Sequence, residues 1–380
     1  MAATTGTVEG DAESGAPAPA TAPDILSPGT LFRRRFMRHR LAVISAVIVA
    51  AFYLVVIFAD FIAYSDPTAS DSERALVPPQ SIQFFDDGRF APHVYGLKRT
   101  RDPDTYGLVY IPDQSQRIPV VLFAKGYEYR LFGLFPTSRH LLGTQGAPAE
   151  SSLFLLGADE QGRDLFSRIV HAIRTSLLIG LAAVAVSITV GMVIGTISGF
   201  YGGYVDLIIQ RAIEILRSIP TIPLWMGLAA AIPPTWGITL VYFTVTIIVA
   251  LLGWTQLARE LRGKIMALRR EDFVTAAELS GAGPARIMFV HLLPLTTSHI
   301  IATTTLAIPA MIASETALGF LGLGLRPPAI SLGVLLSSAQ SLQNVALYSW
   351  MLIPAIPTAI IIIAFNFLGD GLRDAADSNA

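Results

Sequence analysis

Apolar positions in this chain collect into long unbroken blocks instead of alternating with polar ones. Leu41–Ala63 holds one charge, Asp60, near its end, and Thr175–Phe200, Gly237–Ala258, Leu295–Ser314 and Ala346–Gly369 hold none. Each reaches the ~20 residues that a helix rising ~1.5 Å per residue needs to cross a ~30 Å hydrocarbon layer. A sixth block, Leu207–Ile232, opens with a polar turn (Arg211, Glu214, Arg217) and becomes apolar after Ser218. The pattern predicts an all-α membrane protein with six transmembrane helices. Pro220, Pro223, Pro309, Pro354 and Pro357 interrupt the helical hydrogen-bond ladder in three of them.

The polar stretches divide the rest. Residues 1–30 are rich in Ala, Thr, Gly and Pro and show no apolar period, which predicts a disordered tail. They lack the basic start and apolar core of a signal peptide, so the first helix, within 31–63, is expected to serve as an uncleaved anchor. Between the first two blocks lie about a hundred residues with many prolines and with aromatics such as Phe84, Phe85, Tyr95, Tyr110, Phe123, Tyr127 and Tyr129. Val120–Ala124 and Tyr127–Phe132 have strand character with Gly126 between them, so 64–155 is expected to be a small, mostly β, water-facing module. In 156–174, Leu165, Phe166, Ile169, Val170 and Ile173 recur at helical spacing among Arg163, Arg168 and Arg174, which predicts a helix lying in the membrane interface. A five-helix core then fills 175–374. No internal repeat of 20–50 residues is visible.

Charge supplies the orientation. Arg33, Arg34, Arg35, Arg38 and Arg40 precede the first block, and Arg259, Arg262, Lys264, Arg269, Arg270 and Arg286 crowd the segment before the fifth. Basic residues stay on the cytoplasmic side, so both termini and the 259–294 loop are expected there, with Tyr64–Arg174 outside. Only 14% of residues are charged and the net charge is −1, which gives nucleic acid no footing as a partner. With no cysteine, disulfides and thiolate metal sites are excluded. His39, His93, His140, His171, His291 and His299 are scattered, and no metal site, cofactor site or catalytic constellation stands out. No GxxxxGK[ST] phosphate loop exists; Gly281-Ala-Gly283-Pro284 lacks the lysine. The middle of each block is nearly free of charge, which disfavours the alternative of an ion-coupled carrier or channel.

Two motifs remain. Gly191, Gly195 and Gly199 recur every fourth residue on one helix face, the pattern of close backbone packing in lipid. In the 259–294 loop, Phe273–Ser280 is expected to form a short helix displaying Ala276 and Ala277, closed by Gly281, with Pro284 opening the next. Thr275-Ala276-Ala277, three residues, Gly281, nine residues, then His291-Leu-Leu-Pro294 resembles the EAA loop of bacterial ABC importer permeases, with Thr275 in place of Glu and His291 in place of Ile. The His-x-Leu-Pro ending is similar to that of the oligopeptide/dipeptide permease branch. Leu156–Arg168 with Arg174–Leu177, and Glu315–Gly324, resemble two further segments of that branch. The resemblance implies a type I importer half-pore in the bacterial inner membrane that takes up peptides, oligosaccharides or nickel complexes. It also implies a second permease subunit, two ATPase subunits that hydrolyse ATP, and an extracytoplasmic binding protein as partners, besides membrane lipid. Thr275, Ala276, Ala277, Gly281 and Pro294 would then form the ATPase-coupling hairpin.

Overall fold

The structure is a computed structural model that describes residues 28–86, 88–101, 108–145 and 153–376. Of the tail expected over 1–30, residues 1–27 lie outside these, whereas 28–30 belong to the first helix and are not a disordered tail. That helix, α1 (Pro28–Arg38), is followed by α2 (Arg40–Ile57) and the short α3 (Ala59–Ile62). His39 separates the first two: its Nδ1 accepts the Ala42 N–H at 3.1 Å and so caps α2.

The module comes next. Strands β1 (Gln83–Asp86), β2 (Arg89–Arg101), β3 (Leu108–Leu122) and β6 (Leu142–Thr144) form one antiparallel sheet in that order, and β4 (Lys125–Leu131) pairs with β5 (Phe135–Arg139) as a separate hairpin. Val94, Ile118, Val120 and Leu153 make its small core. The expected break at Gly126 falls instead at Phe123–Ala124, and Gly126 sits inside β4, where a Cβ would come within 2.6 Å of the His140 ring. A side chain there would push the hairpin off the ring that holds it.

α4 (Leu165–Tyr201) is a single 37-residue helix. The separate interfacial helix expected over 156–174 is therefore absent. Its apolar residues Leu165, Ile169 and Ile173 are buried against α2 and two later helices, α12 (Leu332–Ser337) and α14 (Ala355–Ala376), so their helical period records packing inside the protein. The helix start is firmly held. Asp164 accepts the Ser167 N–H at 2.7 Å and the Tyr64 hydroxyl at 2.9 Å, while Asp159 accepts Arg163 Nε at 2.7 Å and faces Arg168 Nε at 3.4 Å. Burial pushes the Asp164 carboxyl up to about 6, with the Ser167 hydrogen bonds pulling in the opposite direction. Arg168 Nη1 donates to Pro67 O and Trp350 Nε1 to Ala158 O. This turn thus ties the module base, α4 and the C-terminal region together.

The rest of the bundle is α5 (Gly203–Ser218), α6 (Thr221–Ala230), α7 (Ile238–Leu268), α8 (Asp272–Leu279), α9 (Pro284–Arg286), a π-turn over Ile287–Leu292, α10 (Leu293–Leu295), α11 (Thr297–Phe320), α12 (Leu332–Ser337), α13 (Leu342–Leu347) and α14 (Ala355–Ala376). Among the described residues five helical segments are long and apolar enough to cross a membrane: Arg40–Ile57, Leu165–Tyr201, Ile238–Leu268, Thr297–Phe320 and Ser349–Ala376. The sixth expected helix, Leu207–Ile232, is two shorter ones, because Ile219 and Pro220 take extended backbone and part the polar α5 from the apolar α6.

Gly191, Gly195 and Gly199 meet α7 at successive turns. A Cβ on them would stand 3.0 Å from Trp254 O, 2.7 Å from Ala258 O and 2.7 Å from Arg262 O respectively. Both residue series rise together, so α4 and α7 run parallel in backbone contact, and α5 with α6 carries the chain back between them. Glu315, in the third resembling segment, is buried and accepts Ser176 Oγ at 2.8 Å, from the second. Two motifs far apart in sequence therefore share one contact.

Candidate functional site

At the end of the bundle away from the module, α7 continues past Arg259 to Leu268 without a break. The first ten residues of the expected 259–294 loop are thus helix. Leu257, Leu261 and Ile265, all buried, keep the helical period through the charged residues around them, a signal legible in the sequence but masked by those charges. Asp206 of α5 is paired with Arg262 and accepts Ser198 Oγ at 2.6 Å. The bonds from Arg262 hold its carboxyl below the usual carboxylate range. Arg269 Nη1 donates to Phe200 O at 2.6 Å and satisfies a terminal carbonyl of α4.

α8 hangs from this end. Its C-terminus is a Schellman motif: Ala282 N–H donates to Ala277 O at 3.0 Å and Gly281 N–H to Glu278 O at 2.9 Å. Closing it requires φ +82° at Gly281, a conformation that costs glycine little. Pro284 opens α9 at its first turn, where its missing N–H is not needed. Val274 is buried with Ile265, Ile287 and Leu292, and Ala277 and Ala282 pack on that cluster with Phe200. The hairpin is therefore anchored on the ends of α4 and α7.

The faces of α8 differ from the expected display. Ala276 is exposed, with Thr275, Phe273 and Leu279 beside it, and Leu279 is 85% exposed. Ala277 instead turns inward onto its own chain. Successive helix positions are ~100° apart, so adjacent alanines need not share a face. Pro294 is exposed, fifteen residues beyond Leu279 and on the far side of the π-turn.

A second feature went unseen in the sequence. A cleft of about 610 Å³ opens between α4, α5, α7 and α11. A polar chain crosses it: Arg217 Nη1 donates to Gln256 Oε1 at 2.8 Å, Gln256 Nε2 to Glu260 Oε1 at 2.5 Å and Thr303 Oγ1 to Glu260 Oε2 at 3.1 Å, while His299 Nε2 lies 3.1 Å from Glu260 Oε2. Glu260 lies roughly 12 Å from the hairpin end of α7 at ~1.5 Å per residue. Charged groups on transmembrane helices avoid acyl chains and face water, a cavity or a protein partner. The cleft can thus offer a polar lining inside an otherwise apolar bundle. Among the described residues no group of three His, Asp or Glu is placed to hold a metal ion.

An apolar helical bundle with a polar cleft and an anchored hairpin at one end is the architecture of an integral membrane component. Residues 191–379 match the family described as binding-protein-dependent transport system inner membrane component, and residues 27–79 match the N-terminal TM domain of oligopeptide transport permease C. The chain is 37% identical over 237 residues to the dipeptide transport system permease protein DppC of Lactococcus lactis, covering 62% of this chain and 66% of that one. It is 36% identical over 225 residues to DppC of Haemophilus influenzae (59% and 74%) and 35% identical over 242 residues to the oligopeptide transport system permease protein OppC of Bacillus subtilis (63% and 76%). The chain belongs to this family of inner membrane permease components. Residues 80–190, which hold most of the module, lie outside both family matches.

Proposed function

We propose that this chain forms half of the pore of an ATP-driven importer of peptides, with a second permease subunit completing the pore. Two ATPase subunits would dock on the hairpin side and an extracytoplasmic binding protein would deliver the peptide on the module side. In this reading both termini and the hairpin are cytoplasmic, 64–155 is external, and the polar cleft faces the translocation path. The names of the relatives support peptides as the substrate class.

The observation that carries the coupling role is the division of α8 into two faces. Val274 and Ala277 fix it to the ends of α4 and α7, while Phe273, Thr275, Ala276 and Leu279 project outward. A small-residue surface flanked by exposed Phe and Leu, on a helix held by its other side, suits insertion in a groove of another protein. ATP-driven closure of the partners would then push on α4 and α7 and shift the balance between two states of the bundle.

The test is Ala276→Arg in the reconstituted transporter. Ala276 supports no contact of the cluster beneath it, so abundance and insertion should stay at wild-type level while association with the ATPase subunits and peptide uptake are lost. Wild-type uptake by that variant would remove α8 from the coupling role.

A further inference from the structure

The module carries an apolar surface that transport across the bundle does not use. In the β4–β5 hairpin the turn holds Phe132, Gly133 and Leu134, and Phe132, Leu134 and Phe135 are 53%, 74% and 63% exposed. Leu122 and Phe123, at the neighbouring turn, are also exposed. Leu76, Phe123 and Phe132 are the non-glycine residues of positive φ among those described, so two large aromatics stand at strained turns on this one surface. A water-facing hairpin gains nothing from that arrangement.

The position of this surface in the fold says what covers it. The Phe132 ring meets Phe58 edge-on at 5.7 Å, and the Phe123 ring lies 6.1 Å from Phe61. Leu141 N–H donates to Phe61 O at 2.8 Å, and the buried His140 ring bridges Asp60 O and Tyr127 O at 3.1 and 3.0 Å. The hairpin is therefore seated on Phe58 and α3, directly after the first membrane helix. On α2, Val47, Ala51 and Leu54 form an exposed stripe at helical spacing that ends on Phe58. Phe58 lies about 26 Å along the helix from Leu41, inside a ~30 Å hydrocarbon layer and close to its edge. The exposed stripe of a membrane helix thus continues directly onto the hairpin tip, and the exposed Arg130 stands two residues before the tip, where a phosphate headgroup would lie.

We infer that the β4–β5 hairpin is a membrane anchor: Phe132, Leu134 and Phe135 insert among the lipids of the leaflet on the module side, beside Phe58. The module then rests on the bilayer along one edge and is not wholly surrounded by water. Its partner is the lipid itself, held by apolar burial at the tip and by headgroup contact at the flank.

The chain has no native cysteine, so a single one at Leu134 can be labelled with an environment-sensitive fluorophore in the complete transporter in lipid nanodiscs. Ser115→Cys, on exposed β3, serves as the aqueous control, and Phe135→Cys as a second tip position. Lipids carrying a spin label near the headgroup should quench most of the emission at both tip positions and little at the control, whereas aqueous iodide should do the reverse. Equal iodide quenching at tip and control would overturn the inference. So would a tip shielded from both quenchers that becomes open to iodide when the binding protein or second permease is left out, since a protein would then be the cover. The readout does not depend on peptide uptake, so it stands apart from the proposed function.

Discussion

Gly281→Val probes the hairpin with little confusion between packing and torsion. Gly281 has φ +82°, and a Cβ built on it meets nothing within 4 Å. The Cβ itself meets no neighbour, so the main cost is that of holding a β-branched residue in the left-handed region, about 1–2 kcal/mol. The helix that Gly281 closes is eight residues long and is held by one buried side chain, Val274, and by the Ala277 contact. An energy of this size lowers the ratio of formed to open hairpin about 5- to 30-fold. Gly283→Val is the matched control: its Cβ also meets nothing within 4 Å, and its backbone, φ −71° and ψ 159°, suits valine before a proline. Amide hydrogen exchange over α8 in nanodiscs reads the opening, and peptide-stimulated ATPase of the assembled transporter reads the consequence. Faster exchange by that factor and weaker stimulation are expected for Gly281→Val, with Gly283→Val close to wild type. If both variants exchange and couple alike, the closing turn does not set the hairpin.

Two further outcomes follow from contacts elsewhere. Gly195→Ala brings a methyl within 2.7 Å of Ala258 O and 2.9 Å of Ala258 Cα; overpacking should cost roughly 1–3 kcal/mol and lower the thermal midpoint, whereas Gly227→Ala, with open space around it, should not. Asp164 has a folded carboxyl near 6 against 3.8 for the free group, so the folded state binds its proton more tightly and the protein loses up to about 3 kcal/mol as pH rises from about 4 to 6. Asp164→Asn keeps the helix cap without the charge, so its thermal midpoint relative to wild type should rise across that window; a constant difference would mean that the carboxyl is already ionised at acid pH.

The membrane helices were legible because burial in lipid demands an apolar run and nothing else. Their ends were less so. α7 was cut short at Arg259 because charges that face water on one side of a helix look the same in sequence as a loop, although Leu261 and Ile265 kept the period. Pro220 signalled a kink and delivered a full break, since its neighbour Ile219 also left helical geometry. The hairpin was visible from Gly281 and Pro284, which have strong local conformational demands. Which alanine faces out was not, because that depends on where Val274 finds its partners. The cleft was invisible for a different reason. Arg217, Gln256, Glu260 and His299 come from three helices, and no spacing along the chain brings them together.

α4 runs from one end of the bundle to the other. It begins at the carboxylate-rich turn under the module and ends at the Arg269 clamp beside the hairpin, about 55 Å away at ~1.5 Å per residue. Along the way Gly191, Gly195 and Gly199 press its backbone on α7 so closely that neither helix can slide past the other without first separating. The pair behaves as one beam. A beam lifted at one end turns about whatever holds the other, and here that end is tied to a module resting on the bilayer. The membrane surface itself would then be the fulcrum against which force from the hairpin is resolved, so changes in bilayer thickness should alter how far the bundle opens for the same push.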